Sequence, residues 1–67
     1  MTEREFVDRF TQRVGDLAKG GCRPFNQVPS DYAATVGPIY WRERFPDGLG
    51  PEQCAEEDAT YWSESIK

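Results

Sequence analysis

The apolar residues of this chain recur at helical spacing in three separate stretches. In the first stretch they lie three or four positions apart, which places them on one face of a helix. They are Phe6, Val7, Phe10, Val14, Leu17 and Ala18. Thr2 and Glu5 have the spacing of a capping box, in which a hydroxyl and a carboxylate each satisfy a free amide at a helix start. Gly20-Gly21 can end the helix, because glycine readily adopts the left-handed conformation. The pattern predicts a first helix over residues 3–19.

Two stretches rich in proline and glycine separate the helical patterns. Residues 20–30 contain two prolines and two glycines, which predicts a connecting loop. We expect Phe25 and Val28 to hold this loop against the core. Further along, Pro46-Asp47-Gly48 predicts a turn, since proline presets one dihedral angle and glycine supplies a positive one.

The second helical stretch is interrupted by proline. Its start signal is Ser30, a favoured helix cap. Its apolar face consists of Tyr32, Ala33, Val36, Ile39 and Tyr40. Pro38, which follows Gly37, lacks an amide hydrogen and clashes with the carbonyl four residues earlier. The pattern therefore allows a kinked helix over 31–45, which we expect, or a split at Gly37-Pro38 into a helix over 31–36 and another that begins at Pro38.

The third stretch has a clear start and a clear face. Pro51 suits the first position of a helix, and Glu52 adds favourable negative charge beside it. One face carries Ala55, Ala59, Trp62 and Ile66. Asp58 falls on this apolar face, so we expect it to pair with Arg42 or Arg44 at the edge of the core. The pattern predicts a helix over 51–65. The chain is thus predicted to be all-α, a small three-helix bundle forming one domain over residues 1–67.

Length and charge exclude several function classes. A domain of 67 residues buries only about 60% of its unfolded surface, too little for a deep substrate pocket. The net charge of −4 argues against direct binding to nucleic acid or to an anionic membrane. No apolar run approaches the roughly 18 residues that a membrane span requires. We expect a cytoplasmic protein, in the cytoplasm of the host cell if a phage encodes it.

The residue types needed for catalysis are scarce. The chain has no histidine, the commonest general acid and base, and it has no phosphate-binding glycine-rich motif. Cys22 and Cys54 are its only cysteines, and we expect free thiols rather than a disulfide in a reducing compartment. Two cysteines without histidine do not complete a zinc site. The sequence therefore predicts a protein without enzymatic activity, metal or cofactor.

An aromatic and arginine-rich segment is the first candidate for partner binding. Tyrosine, tryptophan and arginine dominate the energetics of protein interfaces. This segment supplies Tyr40, Trp41, Arg42 and Arg44. Since one helix face cannot bury all its aromatic side chains, we expect at least one to be exposed in part. The alternative is that Trp41 packs on the 20–30 loop beside Phe25.

Carboxylates on the third helix are the second candidate. The acidic residues proposed to contact a partner are Glu52, Glu56, Glu57 and Glu64. They would dock against a basic groove, since complementary charge selects partners and speeds association. The alternative is a solvated face that keeps a small protein soluble. Arg9 and Arg13 on the first helix repel each other at four-residue spacing. A contact with these carboxylates, within the chain or across a dimer, would relieve that repulsion.

Together these features predict a small protein that binds and occludes a larger protein partner with a basic surface. We expect an inhibitor encoded by a phage or mobile element and directed at host machinery, such as a nucleic-acid-handling complex of the kind that anti-CRISPR proteins block. The alternative is a structural or regulatory accessory subunit, or a small homodimer, that uses the same aromatic residues for stable assembly. The two differ in whether the chain is a monomer or a dimer.

Overall fold

The structure, a computed structural model, describes residues 1–19 and 23–65. Helix α1 spans Glu3–Ala18, α2 spans Pro29–Glu43 and α3 spans Pro51–Ser65, with 3₁₀ turns at Pro24–Asn26 and Phe45–Asp47. The described residues contain no strand, so the predicted all-α three-helix bundle is confirmed. None of these helices has the length and apolarity that a membrane crossing needs.

Helix α1 packs extensively on both other helices, whereas α2 and α3 contact each other less. Phe6 lies against Trp41 near the end of α2, so the start of α1 meets the end of α2. Arg9 lies against Glu52, in the first turn of α3. Helix α1 therefore runs antiparallel to α2 and parallel to α3. The starts of α1 and α3 and the end of α2 meet at one end of the bundle.

The start of α1 shows one of the two hydrogen bonds of the predicted capping box. The Thr2 hydroxyl accepts a hydrogen bond from the Glu5 amide at 3.2 Å, which satisfies one of the free amides of the first turn. The helix ends at Ala18 and is followed by Lys19. The predicted stop at Gly20-Gly21 lies outside the described residues.

Helix α2 differs from its prediction at both ends. It begins at Pro29 rather than at a Ser30 cap, because proline at the first helical position needs no hydrogen-bond acceptor. It continues unbroken through Gly37-Pro38, which is the one-helix alternative. It ends at Glu43, two residues earlier than predicted, and Phe45 begins a 3₁₀ turn.

Helix α3 and the turn before it follow the sequence signals. Pro51 is its first residue, as predicted. The Gly50 amide donates to Gln53 Oε1 at 3.0 Å, so a side chain of the first turn satisfies a backbone donor. Gly48 has φ of 91°, the positive dihedral that the Pro46-Asp47-Gly48 signal requires.

The core is largely aromatic and draws on all three helices. Its buried residues are Phe6, Phe10, Val14, Tyr32, Ala33, Cys54, Ala55 and Trp62. The loop between α1 and α2 is held differently from expectation. Pro24 is buried, whereas Phe25 and Val28 are 40% and 51% exposed. Phe25 adopts a left-handed backbone conformation, and its ring lies 5.7 Å from that of Tyr32.

Candidate protein-binding surface

A buried carboxylate joins α2 to α3. The Asp58 residue is only 7% exposed, yet both of its carboxylate oxygens are hydrogen bonded. Oδ2 accepts from the Tyr32 hydroxyl at 2.5 Å and from the Trp62 indole N–H at 2.8 Å. Oδ1 accepts from the Tyr40 hydroxyl at 2.7 Å. We call Asp58, Tyr32, Tyr40 and Trp62 the Asp58 cluster.

The expected pairing of Asp58 with Arg42 or Arg44 is wrong. Both arginines are exposed, and neither forms an ion pair with a described residue. Neutral donors on buried aromatic side chains satisfy the carboxylate instead. Three such donors compensate a buried charge without the cost of desolvating a second one.

The geometry of the Asp58 cluster follows from helical spacing. Tyr32 and Tyr40 are eight residues apart on α2, which puts them on neighbouring sides of the helix about 12 Å apart along its axis. Their side chains converge from two levels on Asp58, opposite them on α3. Trp62 is four residues after Asp58 and therefore lies on the same face of α3. The signal in the sequence was the pair of inward-facing tyrosines facing one inward-facing aspartate.

Burial disfavours ionisation of the tyrosine and cysteine side chains in and beside the Asp58 cluster. Burial, reinforced by the hydrogen bond to Asp58 and by its negative charge, raises the pKa of Tyr32 and of Tyr40 above the ordinary value for a phenol. Burial also raises the pKa of the free Cys54 thiol, and the charge of Glu57 adds to that shift. The thiol is thus disfavoured as a nucleophile, since the thiolate is the reactive form. The described residues form no pocket beside the cluster.

The aromatic segment predicted to bind a partner is divided between core and surface. Tyr40 donates its hydroxyl to Asp58, and its ring lies 5.4 Å from that of Phe10. Trp41 is half-buried and stacks on Phe45, with ring centroids 4.5 Å apart and an interplanar angle of 19°. Its ring also meets Phe6 in an edge-on contact at 5.6 Å. The alternative, in which Trp41 packs beside Phe25, is not the contact found.

A mixed apolar and basic surface results at the end of α2. Trp41 and Phe45 each retain a partly exposed side. Arg42 and Arg44 are exposed beside them. We call these four residues the Trp41 surface. The expectation that at least one aromatic side chain here would be partly exposed is confirmed.

Two of the predicted acidic residues already form ion pairs within the chain. Glu52 receives two hydrogen bonds from Arg9, at 2.9 and 3.1 Å. Glu56 forms an ion pair with Arg13 at 3.0 Å. The expected relief of the Arg9–Arg13 repulsion by α3 is therefore confirmed, and it occurs within one chain. Glu57 is exposed and forms no ion pair with a described residue.

The predicted partner-binding residues thus divide into two groups with different surroundings. The Trp41 surface meets α1 through Phe6, whereas Glu52 and Glu56 meet α1 through Arg9 and Arg13. The side chain of Glu64 lies outside the described residues, so its role in binding a partner stays a prediction. Among the residues predicted to bind a partner, Trp41 combines partly exposed aromatic area with the neighbouring unpaired charges of Arg42 and Arg44.

These features define a small all-α three-helix protein with a polar cluster buried between two helices. Comparison with protein-family models, with curated proteins and with solved structures finds no match for this chain.

Proposed function

We propose that this chain is a non-enzymatic binding protein that attaches to a larger protein and covers a functional surface on it. The observation that carries this proposal is the half-buried Trp41, stacked on Phe45 and flanked by Arg42 and Arg44. Tryptophan and arginine supply most of the energy at protein interfaces, and anchors of this kind work best on a rigid support.

The residues beneath the Trp41 surface are held by contacts from α1 and α3. Phe6 contacts both Trp41 and Phe45 from α1, at ring distances of 5.6 and 5.8 Å. The neighbouring Tyr40 hydroxyl is held by Asp58 of α3. All three helices therefore restrain the end of α2. The packed rings of Trp41 and Phe45 therefore lose little conformational entropy when a partner docks, which favours affinity.

The biological setting we propose is inhibition in the cytoplasm of a host cell, with the chain encoded by a phage or mobile element. In this proposal the compact chain acts by occupying a surface, so its target would be a larger assembly such as a nucleic-acid-handling complex. Direct contact with nucleic acid is disfavoured by the net charge of −4.

Capture from a lysate of the native host tests the proposal. The immobilised chain should retain one protein or complex in stoichiometric amount, and Trp41→Ala should lose most of it. Ile39→Ala is the matched control, because Ile39 is an exposed apolar residue of the same helix, two positions away and on another side. Circular dichroism must show that both variants keep their helix content. Equal retention by the two variants would contradict the proposal.

The accessory-subunit alternative is tested by mass measurement in solution. A monomer at micromolar concentration supports a binder that engages its partner from the free state. A stable homodimer in which Trp41 fluorescence is shielded from a soluble quencher would favour permanent assembly instead. A Trp62→Phe background is needed to isolate the signal of Trp41, because the chain has two tryptophans.

A further inference from the structure

We infer that the Trp41 surface recognises an acidic segment of a protein, one that presents carboxylates around a large apolar side chain. This inference rests on the proposed function and specifies the chemistry of the partner. It reverses the sign expected from the sequence, where four glutamates of α3 suggested a basic groove.

Two of the carboxylates of α3 already have partners within the chain. Glu52 and Glu56 are held by Arg9 and Arg13 of the same chain. A basic partner would have to break or share these ion pairs, which offsets a part of its electrostatic gain, a small part because exposed ion pairs are weak. Their availability to a partner is therefore lower than their sequence positions suggest.

The basic residues differ in whether they form ion pairs within the chain. Three basic residues are already paired with acids of the chain, namely Arg9, Arg13 and Lys19. Among the described residues, the exposed arginines without an ion pair are Arg4, Arg23, Arg42 and Arg44. Two of these four flank Trp41.

Helical geometry places those two arginines on either side of Trp41 around the helix axis. With about 100° of rotation per residue, Arg44 lies roughly 60° from Trp41 around the axis and Arg42 roughly 100°. Glu43 lies roughly 160° away, on the opposite side of the helix. Asp47 follows in the 3₁₀ turn beyond Phe45. Two exposed arginines thus lie within roughly 100° of Trp41 around the helix axis, whereas Glu43 lies on the opposite side.

The ligand chemistry follows from these groups. A guanidinium group binds a carboxylate through two parallel hydrogen bonds, a geometry that an ammonium group does not offer. Trp41 and Phe45 provide a flat apolar area for an aliphatic or aromatic side chain. Phosphates of nucleic acid would also attract arginine, but the overall charge of −4 opposes a polyanion more than it opposes a short acidic segment.

A peptide selection tests the inference without knowledge of the natural partner. A displayed library of random 12-residue peptides is selected on the immobilised chain, and the enriched peptides are synthesised for affinity measurement. We expect enrichment of aspartate and glutamate around one large apolar residue. The double variant Arg42→Glu, Arg44→Glu should weaken these peptides on the order of tenfold or more, because it replaces attraction with repulsion.

The control carries the same change of charge at the other end of the bundle. Lys19 and Arg23 are exposed and follow the end of α1, away from Trp41. Lys19→Glu with Arg23→Glu should weaken binding no more than about twofold, since exposed charges beyond a Debye length are largely screened. Equal weakening by the two double variants would overturn the inference, because it would reflect net charge alone.

The remaining outcomes separate this inference from the proposed function. Enrichment of basic peptides that lose binding in Trp41→Ala would overturn the inference and leave the proposed function standing. Peptides that bind Trp41→Ala and Ile39→Ala equally well would count against the binding surface itself. A single-stranded oligonucleotide that competes more strongly than the selected peptides would overturn the inference in favour of nucleic acid. A selection that enriches no peptide would count against both.

Discussion

Asp58 shows how one buried charge can determine which faces of two helices meet. Its carboxylate accepts hydrogen bonds from Tyr32 and Tyr40 of α2 and from Trp62 of its own helix. Rotation of α2 about its axis would leave these donors and acceptors buried without partners, at about 1–3 kcal/mol for each group. Since α2 and α3 share few other contacts, the Asp58 cluster supplies much of the specificity of their pairing.

The variant Asp58→Asn tests this role. The amide keeps one acceptor oxygen but removes the charge and directs a donor at one of the phenols. We expect the free energy of unfolding to fall by roughly 2–4 kcal/mol, a large part of the ~3–10 kcal/mol available to a domain of this length. Urea unfolding followed by circular dichroism measures it.

The matched control for this variant is Glu57→Gln. It makes the same chemical change at the next residue, which is exposed. A surface substitution of this kind should alter the unfolding free energy by no more than about 0.5 kcal/mol. Similar losses in the two variants would show that Asp58 has no special structural role.

The two phenols of the Asp58 cluster predict a loss of stability at alkaline pH. Their pKa values are raised in the folded protein, so above the ordinary phenol value of about 10 the folded state binds more protons than the unfolded state. Stability therefore falls as pH rises above that value. The raised pKa of Cys54 acts in the same direction, starting from the lower ordinary value of a thiol.

Urea unfolding at pH 8 and pH 11 measures this loss. The Tyr40→Phe variant should be less stable than the parent at pH 8, because it lacks one hydrogen bond to Asp58. Between the two pH values it should lose less stability than the parent, because it has one fewer buried phenol to ionise. An equal loss in both proteins would argue against the Asp58 cluster as the cause.

Among the helices, prediction succeeded where local signals were sufficient. The start of α1 depends on a hydroxyl three residues from the amide it caps, and the start of α3 depends on Pro51. The start of α2 was placed at Ser30 because serine is a favoured cap. Proline at the preceding position was the stronger signal, since Pro29 has no amide hydrogen to satisfy.

The approach of α1 to α2 at Gly37 was not predictable from the sequence. A Cβ atom at this position would lie 3.2 and 3.3 Å from the two γ-methyl groups of Val7, closer than usual. Gly15, in the last turn of α1, has no such neighbour within 4 Å. The two glycines therefore have the same intrinsic cost in a helix but different surroundings.

Substitution of each glycine by alanine separates the effect of helix propensity from the effect of crowding by Val7. Gly15→Ala should raise the free energy of unfolding by about 0.5–1 kcal/mol through helix propensity alone. Gly37→Ala should gain clearly less, because Val7 must move to admit the new methyl group. Thermal unfolding of both variants measures the difference. Equal stabilisation would mean that α1 and α2 can separate at no cost.

For the molecule as a whole, residue type predicted which side chains make up the Trp41 surface better than it predicted which charged residues are paired within the chain. Trp41, Arg42 and Arg44 were identified from residue type, and they remain accessible. The pairing of Glu52 with Arg9 joins residues 43 positions apart, so no local pattern reveals it. The donors to Asp58 were missed for the same reason, because α2 and α3 meet only in the folded chain.

The most direct test of the account is photo-crosslinking from position 41 in cells of the native host. An azidophenylalanine at position 41 keeps an aromatic ring on Phe45, and the same residue at position 39 is the control. We expect one crosslinked product of discrete, larger mass from position 41 and little or none from position 39. No product from position 41, or the same products from both positions, would contradict a binding role for the Trp41 surface.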